Sequence, residues 1–262
     1  MSTNGHGGKP GDGHGTGGRK IGRDAMARPL PKRFYTVAAA ASTSHKRWRL
    51  ELDGRPARTP AKREFAHPLE AVIQAIAEEW GAQGAVIDPA SMPLTRLVNS
   101  AIDGVAGREG EVAADIARYA TSDLVCYRAD RPAELVARQS ALWDPVHAWA
   151  RSRHGLVLTR QTGLMPVQQP PSVTDRMLAA LVGADAFRLA ALHVMTTLTG
   201  SAILSLAIAD KQLTAHAAWE AAHVDEDWQI TQWGEDAEAQ ARRQARWRDM
   251  AAADRLLALL DG

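Results

Sequence analysis

The sequence predicts an α+β protein, with a small N-terminal antiparallel β domain followed by a larger all-helical domain. Two observations carry this prediction. Around residues 33–60, β-branched and aromatic residues cluster, and Trp48, Leu50 and Leu52 alternate with charged residues as in a half-buried strand. After His67 the apolar residues recur with a period of 3.6 rather than two, as they do along amphipathic helices. Strands and helices in separate parts of a chain are typical of α+β folds.

Three segments follow from these patterns. Residues 1–32 form a tail, residues 33–66 the small β domain and residues 67–262 the helical domain. The tail is rich in Gly, His and basic residues and lacks the apolar surface that would offset its ordering entropy, so we expect it to be disordered. Residues 1–33 carry seven basic and two acidic side chains, which leaves 24 basic and 28 acidic in the remainder. Because this remainder is mildly acidic, we expect no nucleic-acid partner; a nucleic-acid binder that uses the basic tail is kept as an alternative.

The individual elements follow from turn and periodicity signals. We predict that order begins at residues 33–37 and that a hairpin follows, in which Asp53-Gly54 joins residues 48–52 to an edge strand over residues 55–60. Helices are predicted over residues 68–80, 94–105, 109–119, 132–142, 144–155 and 173–182, twice within 185–210, over 214–233, and after Gly234 up to residue 260. The pair Asp144-Pro145 should restart a helix at a kink, and residues 123–127 fit either a helical or an extended piece.

Cysteine content and hydropathy bear on the compartment. Cys126 is the only cysteine, so no internal disulfide can form and a reducing compartment fits. The first 30 residues lack the apolar core of a secretory signal. Residues 189–208 are long enough to span a bilayer, but His193, Gly200 and several hydroxyl side chains favour two helices buried within the protein. We therefore expect no membrane-embedded segment.

Groups that could carry out chemistry are scarce. The glycines concentrate in the tail rather than between a strand and a helix, and a Gly-x-Ser-x-Gly motif is absent from the sequence. We predict no cofactor, no metal and no small-molecule substrate. An enzymatic alternative stays open, a metal-dependent hydrolase, because His216 and His223 lie two turns apart on a predicted helix with Asp227 one turn further.

An acidic, Trp-rich segment is the main functional signal. Between Lys211 and Arg242 the chain has no Lys or Arg but carries seven carboxylates and three tryptophans. In a helix, one face would present Trp219, Glu226, Ile230 and Trp233, which places a carboxylate within an apolar stripe. An ionised carboxylate cannot be buried alone. Glu226 must therefore pair with an internal partner, such as an Arg of another helix, become protonated, or lie where another molecule can contact it. The last option predicts a surface for a basic or partly unfolded polypeptide.

Several phrases of the sequence, in this order, resemble a known family. They are Arg33-Phe-Tyr, Leu52-Asp-Gly-Arg-Pro, Ala77-Glu-Glu-Trp, Met92-Pro-Leu-Thr, Thr121-Ser-Asp-Leu-Val-Cys-Tyr-Arg, Trp143-Asp-Pro, Asp225-Glu and Trp233-Gly-Glu. Together, from about residue 33 to the C-terminus, they resemble the ATP synthase assembly chaperones that act on the alpha subunit. The resemblance implies a non-enzymatic protein with a small β domain on a helical domain. It would hold unassembled alpha subunit of F-type ATP synthase soluble until the beta subunit replaces the chaperone.

The resemblance also implies a client-binding set. A glutamate in the C-terminal helical region is associated with activity in the family; Glu235 is the preferred match and Glu226 the second. Trp80, in the Glu-Glu-Trp phrase, matches a sensitive position, although a Trp that ends an amphipathic helix often anchors the core. Trp233 and Asp225 complete the set. We expect a monomer in the bacterial cytoplasm; the mitochondrial matrix is disfavoured because the tail lacks an Arg-rich, acid-poor targeting helix.

Overall fold

The computed structural model describes residues 29–163 and 165–262. It confirms the predicted class: a small antiparallel sheet precedes a larger helical region. The predicted tail lies almost wholly outside the described residues. Its last residues are described, and Pro31 and Lys32 already pair with the segment after the first helix, because the Pro31 carbonyl accepts a hydrogen bond from Ile87 N at 2.8 Å.

The N-terminal sheet is built around one central strand. It contains β1 (Ala38–Ser42), β2 (Trp48–Leu52), β3 (Arg55–Pro56) and β4 (Ala66–His67). Strand β2 pairs antiparallel with each of the other three. The predicted turn is confirmed: Asp53 and Gly54 have φ values of +48° and +73°, which tight hairpin turns require.

A side chain holds the residues that precede the first strand. Residues 33–37 lie before β1, which begins at Ala38. The carboxylate of Asp53 accepts hydrogen bonds from the backbone N–H groups of Val37, at 2.8 Å, and Thr36, at 3.0 Å, so a side chain takes the place of a neighbouring strand. The same two bonds lower the pKa of Asp53 below its ordinary value.

Ten α-helices make up most of the described chain. They are α1 (Glu70–Gly81), α2 (Pro93–Ser100), α3 (Glu109–Tyr119), α4 (Ala133–His154), α5 (Pro171–Ala180), α6 (Ala186–Thr199), α7 (Ala202–Ala209), α8 (Ala215–Ala222), α9 (Val224–Trp233) and α10 (Ala237–Asp261). One hydrophobic core joins the sheet to these helices through Leu50, Phe65, Ile73 and Ile76. The segment 189–208 forms the two buried helices α6 and α7, which Gly200 separates with a φ of +69°. Every helix among residues 29–163 and 165–262 is too short or too polar to span a bilayer.

Two predicted helix boundaries were wrong. Helix α4 runs unbroken from Ala133 to His154 with Pro145 inside it, although an internal proline commonly costs about 3 kcal/mol. Trp143 is fully buried and anchors this part of α4, so packing offsets the proline. Conversely, residues 214–233 form two helices rather than one, because His223 has φ −112° and ψ 15° and its ring Nδ1 contacts the Trp219 carbonyl at 2.8 Å.

Residues 123–127, for which the sequence fits either a helical or an extended piece, contain both. Residues Leu124–Cys126 form a single 3-10 turn, and Tyr127–Arg128 then form β5, which pairs in parallel with β6 (Gln161–Thr162). Asp123, which is fully buried, accepts hydrogen bonds from Val125 N at 3.3 Å and from Ile203 N at 3.1 Å. This carboxylate therefore ties the turn to the N-terminus of α7.

Candidate binding groove

Helices α8, α9 and the first half of α10 enclose an open groove of about 670 Å³, which we call the acidic groove. Gly234, with a φ of +86°, ends α9 and reverses the chain, as the sequence predicted. Asp236 then begins α10 by accepting a hydrogen bond from Glu238 N at 2.9 Å. The short turn between the two helices thus forms one end of the groove.

The apolar surface of the groove consists largely of tryptophan. Trp219 is buried and its ring meets that of Trp247 from α10 edge to face at 5.5 Å, while Ile230 is half-buried beside them. Trp233 is 87 % exposed, which makes it the most exposed large apolar side chain among the described residues. Exposed aromatic rings beside an apolar groove are typical anchors of protein interfaces.

Most of the charged side chains that line the groove are carboxylates. Five carboxylates line the groove (Glu220, Glu226, Asp227, Glu235 and Asp236), against the single guanidinium of Arg243. With the His216 imidazole neutral, the lining carries a net charge of −4. A concave surface with one dominant sign of charge focuses the electrostatic potential and attracts ligands of opposite charge.

Only part of that negative charge is compensated internally. Arg243 forms an ion pair with Asp227, and the hydrogen bond to Asp227 raises the pKa of the Arg243 guanidinium. His216 lies 3.5 Å from Glu220. Within the described part of the chain, neither Glu226 nor Glu235 forms an ion pair or a side-chain hydrogen bond. An arginine of another helix, Arg243, therefore does lie in the groove, but it pairs with Asp227 rather than with Glu226. The carboxylates of Glu226 and Glu235 are left for a basic group of a client.

The structure brings together three of the five predicted client-binding residues: Glu226, Trp233 and Glu235 all line the acidic groove. Asp225 points elsewhere, because its carboxylate accepts a hydrogen bond at 2.7 Å from the Gln139 amide on α4. This bond fixes α9 to α4, so Asp225 supports the groove from behind. A direct contact of Asp225 with a client stays a prediction.

Trp80 lies away from the groove, at the end of α1. Its ring packs against Tyr35 with centroids 5.5 Å apart, and the Tyr35 hydroxyl donates a hydrogen bond to the Trp80 carbonyl at 2.7 Å. The indole N–H of Trp80 is buried without a hydrogen-bond partner among the described residues. These contacts join the N-terminal segment to α1, and a role for Trp80 in client binding stays a prediction.

The metal-dependent alternative finds no support in this geometry. His223 is buried and its Nδ1 is engaged by the Trp219 carbonyl, while Asp227 is paired with Arg243. Burial also lowers the pKa of His223. In residues 29–163 and 165–262, no group of three or more His, Cys, Asp or Glu side chains is arranged to hold a metal ion.

Sequence reasoning missed one wall of the groove. Helix α10 supplies Ala239, Gln240, Arg243, Gln244 and Trp247. These residues recur at spacings of three and four and so share one helix face, with Trp247 as the only aromatic residue of a highly charged helix. A lone tryptophan in such a helix was the available signal that one face of α10 meets another apolar surface.

Comparison with known proteins identifies the class. Residues 32–151 match the family described as ATP12 chaperone protein, which places the molecule among chaperones. A protein from Agrobacterium tumefaciens of known structure is 46% identical over 90% of this chain and 88% of its own, with a TM-score of 0.85. Atp12 from Paracoccus denitrificans is 40% identical over 87% of this chain and 98% of its own, with a TM-score of 0.81. The chain therefore belongs to the ATP12 chaperone family.

The family model and the groove cover different parts of the chain. The matched family region ends at residue 151, whereas every residue that lines the acidic groove lies beyond residue 215. The family resemblance and the α+β fold expected from the sequence are confirmed.

Proposed function

We propose that this protein binds the unassembled alpha subunit of F-type ATP synthase at the acidic groove and keeps it soluble until the catalytic head assembles. The observation that carries the proposal is the exposed Trp233, which lines the groove together with Glu226 and Glu235, two carboxylates without an ion pair in the described part of the chain. Membership of the ATP12 chaperone family supports the choice of client.

The groove suits a segment that is both apolar and basic. Burial of Trp233 against a client would remove much of a large aromatic surface from water, and anchors of this kind typically contribute about 2–4 kcal/mol. An arginine or lysine of the client would meet Glu226 and Glu235. These carboxylates also make purely apolar contacts unfavourable, because an unpaired charge would be desolvated.

The same composition favours an exchangeable complex. Acidic rims accelerate association with basic partners, and salt screens that attraction over about 8–10 Å at physiological ionic strength. The beta subunit could then displace the chaperone by offering a larger and more apolar interface. A chaperone that is meant to be replaced needs fast exchange more than high affinity.

We place this activity in the bacterial cytoplasm and assign it to a monomer. The relatives of known structure come from Agrobacterium and Paracoccus, and the lone Cys126 is buried, as suits a reducing compartment. In a monomer the acidic groove stays open to a client.

Co-expression tests the proposal. The alpha subunit of the same organism is produced alone, with this protein, or with its Glu226→Lys/Glu235→Lys variant, and soluble alpha subunit is quantified after centrifugation. We expect solubility to rise several-fold with the wild type and not with the variant. The matched control is Asp175→Lys, a charge reversal at an exposed residue of α5 outside the groove. Equal alpha solubility with and without the chaperone would contradict the proposal.

A further inference from the structure

The sheet and the helices of this protein carry opposite net charge. Residues 32–66, which we call the basic region, hold nine basic and three acidic side chains, a net charge of +6. Residues 67–262 hold 17 basic and 25 acidic side chains, a net charge of −8. Such an asymmetry between two parts of a chain is typical of proteins that bind an anionic surface. We propose that the basic region binds the surface of an anionic lipid membrane, with exposed apolar side chains beside it at the lipid interface.

Little of the positive charge of the basic region is neutralised within the molecule. In the described part of the chain, one of the nine basic side chains pairs with a carboxylate, Arg49 with Glu51 at 2.7 Å. Four others donate hydrogen bonds to backbone carbonyl groups, which leaves their charge uncompensated: Arg33, Arg47, Arg58 and Arg63. The remaining four are exposed to solvent: Lys32, Lys46, Arg55 and Lys62.

Exposed apolar side chains lie beside these charges. Lys32 and Val86 face each other in an antiparallel bridge whose hydrogen bonds are made by the residues on either side, an arrangement in which the two side chains lie close together. Leu30 and Phe34 lie two residues before and after Lys32, and both are exposed, as are Val86 and Val37. We call these four apolar side chains and Lys32 the N-terminal strip.

The N-terminal strip ends at the hairpin turn of the sheet. The Val37 N–H donates a hydrogen bond to the Asp53 carboxylate at 2.8 Å, and the Val37 carbonyl accepts one from Asp53 N at 2.9 Å. The backbone hydrogen bonds and, to a smaller extent, the charges of Arg33 and Arg55 lower the pKa of Asp53. Arg55 therefore lies near this end of the strip, and the carboxylate beside it is already engaged by backbone N–H groups.

This combination suits a lipid surface better than a nucleic acid or a folded acidic protein. Nucleic-acid sites use charged side chains for phosphates and aromatic rings for bases, and exposed leucine and valine contribute to neither. At a lipid interface, basic side chains meet anionic headgroups while apolar side chains enter the boundary of the acyl chains. The basic side chains also come from separate turns, at residues 43–47, 53–55 and 58–63, as suits an extended surface rather than one discrete partner.

Membrane binding would leave the acidic groove accessible, and it goes beyond the proposed function because it requires no client. Helix α1, which shares the core of the sheet, meets α10 through the pair of Glu78 and Arg255 at 2.8 Å. The groove residues of α10 begin at Trp247, about 12 Å further along that helix. Because an anionic surface repels the negatively charged helices, the basic region would face the lipid and the groove the solvent.

Sedimentation with lipid vesicles tests the binding of the full chain. One set of vesicles consists of phosphatidylcholine alone and the other of equal parts of phosphatidylcholine and phosphatidylglycerol. We expect the partition coefficient to be at least about tenfold larger for the anionic vesicles at low salt, and to fall as salt is added. Equal partition into the two kinds of vesicle, or no binding to the anionic vesicles at low salt, would overturn the proposal.

Matched charge variants locate the contact. Lys32→Glu/Arg55→Glu should lower the partition coefficient for anionic vesicles at least about tenfold. Arg151→Glu/Arg176→Glu changes the net charge by the same amount at exposed arginines of α4 and α5, and it should have a much smaller effect. Equal losses in the two variants would mean that net charge rather than the basic region determines binding, and the proposal would fail.

A second pair of variants tests the apolar contact. Phe34→Ala should lower the partition coefficient about three- to tenfold, because it removes an aromatic ring from the lipid interface. The control is Met165→Ala, at a side chain that is 72 % exposed, as Phe34 is, and it should bind vesicles like the wild type. Binding that Phe34→Ala leaves unchanged would contradict the assignment of the N-terminal strip to the lipid interface.

Two further measurements separate this proposal from others. If single-stranded RNA binds more tightly than the anionic vesicles, and Lys32→Glu/Arg55→Glu abolishes RNA binding, the partner is a nucleic acid and the lipid proposal fails. The vesicle experiments contain no alpha subunit, and Glu226→Lys/Glu235→Lys should bind anionic vesicles at least as well as the wild type. Failure of membrane binding therefore leaves the proposed function standing, and failure of client binding leaves the membrane proposal standing.

Discussion

The indole N–H of Trp143 donates a hydrogen bond to the backbone carbonyl of Ala221 at 2.7 Å. Trp143 is fully buried in α4, and Ala221 lies in the last turn of α8, immediately before the break at His223. The bond therefore fixes the end of α8 at the place where the chain turns into α9 and the acidic groove begins. Together with the bond between Gln139 and Asp225, it attaches α8 and α9, two of the three groove helices, to α4.

Loss of this bond should weaken the attachment. We expect Trp143→Phe to lower the free energy of unfolding by about 2–4 kcal/mol, because it leaves the Ala221 carbonyl unsatisfied and also opens a cavity. Urea denaturation monitored by circular dichroism measures the change. The control is Trp228→Phe, at a half-buried indole that packs under the Arg138 guanidinium, for which we expect a smaller loss. Equal losses of unfolding free energy for the two variants would show that the hydrogen bond from Trp143 to Ala221 adds no stability beyond that of a packed indole.

The buried Asp123 should give stability an unusual pH dependence. Burial raises its pKa from 3.8 to about 6, so the folded state retains a proton that the unfolded state releases between these values. The contribution of Asp123 to stability is therefore greatest below about pH 4 and falls as pH rises through about 6, by about 3 kcal/mol.

Asp123→Asn isolates this effect, because asparagine does not titrate. The difference in unfolding free energy, wild type minus variant, should decrease from pH 4 to pH 6 in urea titrations at closely spaced pH values. The absolute stability of the variant does not test this prediction, because replacing the Asp123 carboxylate also removes part of the capping of α7. A difference that is flat or rises over this range would mean that Asp123 ionises normally in the folded protein.

Pro145 should be replaceable with a gain in stability. It is exposed inside the unbroken helix α4, where it removes one backbone donor. We expect Pro145→Ala to raise the free energy of unfolding by about 1–3 kcal/mol and the melting temperature by several degrees, measured by calorimetry. A melting temperature that falls instead would indicate that the proline ring makes a packing contact that alanine cannot replace.

Substitutions at Trp80 separate its two candidate roles. Because its indole N–H has no partner among the described residues, Trp80→Phe should change the unfolding free energy by less than about 1.5 kcal/mol, whereas Trp80→Ala should cost about 3 kcal/mol by removing the ring that packs on Tyr35. Both values come from denaturant titration. If Trp80→Phe is stable yet binds the alpha subunit poorly, Trp80 contacts the client directly; unchanged binding assigns it to the fold.

The sequence was informative where local rules decide the structure. The turn at Asp53-Gly54, the end of α9 at Gly234 and the buried pair α6 and α7 follow from glycine conformations and apolar periodicity, and all were predicted. The faces of residues 214–233 placed Glu226 and Trp233 together, and both line the acidic groove.

The remainder depends on contacts between residues far apart in the chain. Asp53 bonds Thr36 and Val37, which lie just before β1, and the packing of Trp143 keeps α4 continuous despite Pro145. The second wall of the groove comes from α10, whose Trp247 meets Trp219 across 28 positions of sequence. Periodicity identifies the apolar face of a helix but not the helix that it meets.

The affinity of the purified chaperone for the alpha subunit, at two salt concentrations, tests the central claim most directly. We predict that Glu226→Lys/Glu235→Lys and Trp233→Ala each weaken binding at least tenfold at low salt, and that salt weakens the wild type more than the charge-reversed variant. Asp175→Lys and Val182→Ala, which alter an exposed charge and an exposed apolar side chain outside the groove, should bind like the wild type. Wild-type affinity in the groove variants would contradict the claim that the acidic groove is the client-binding site.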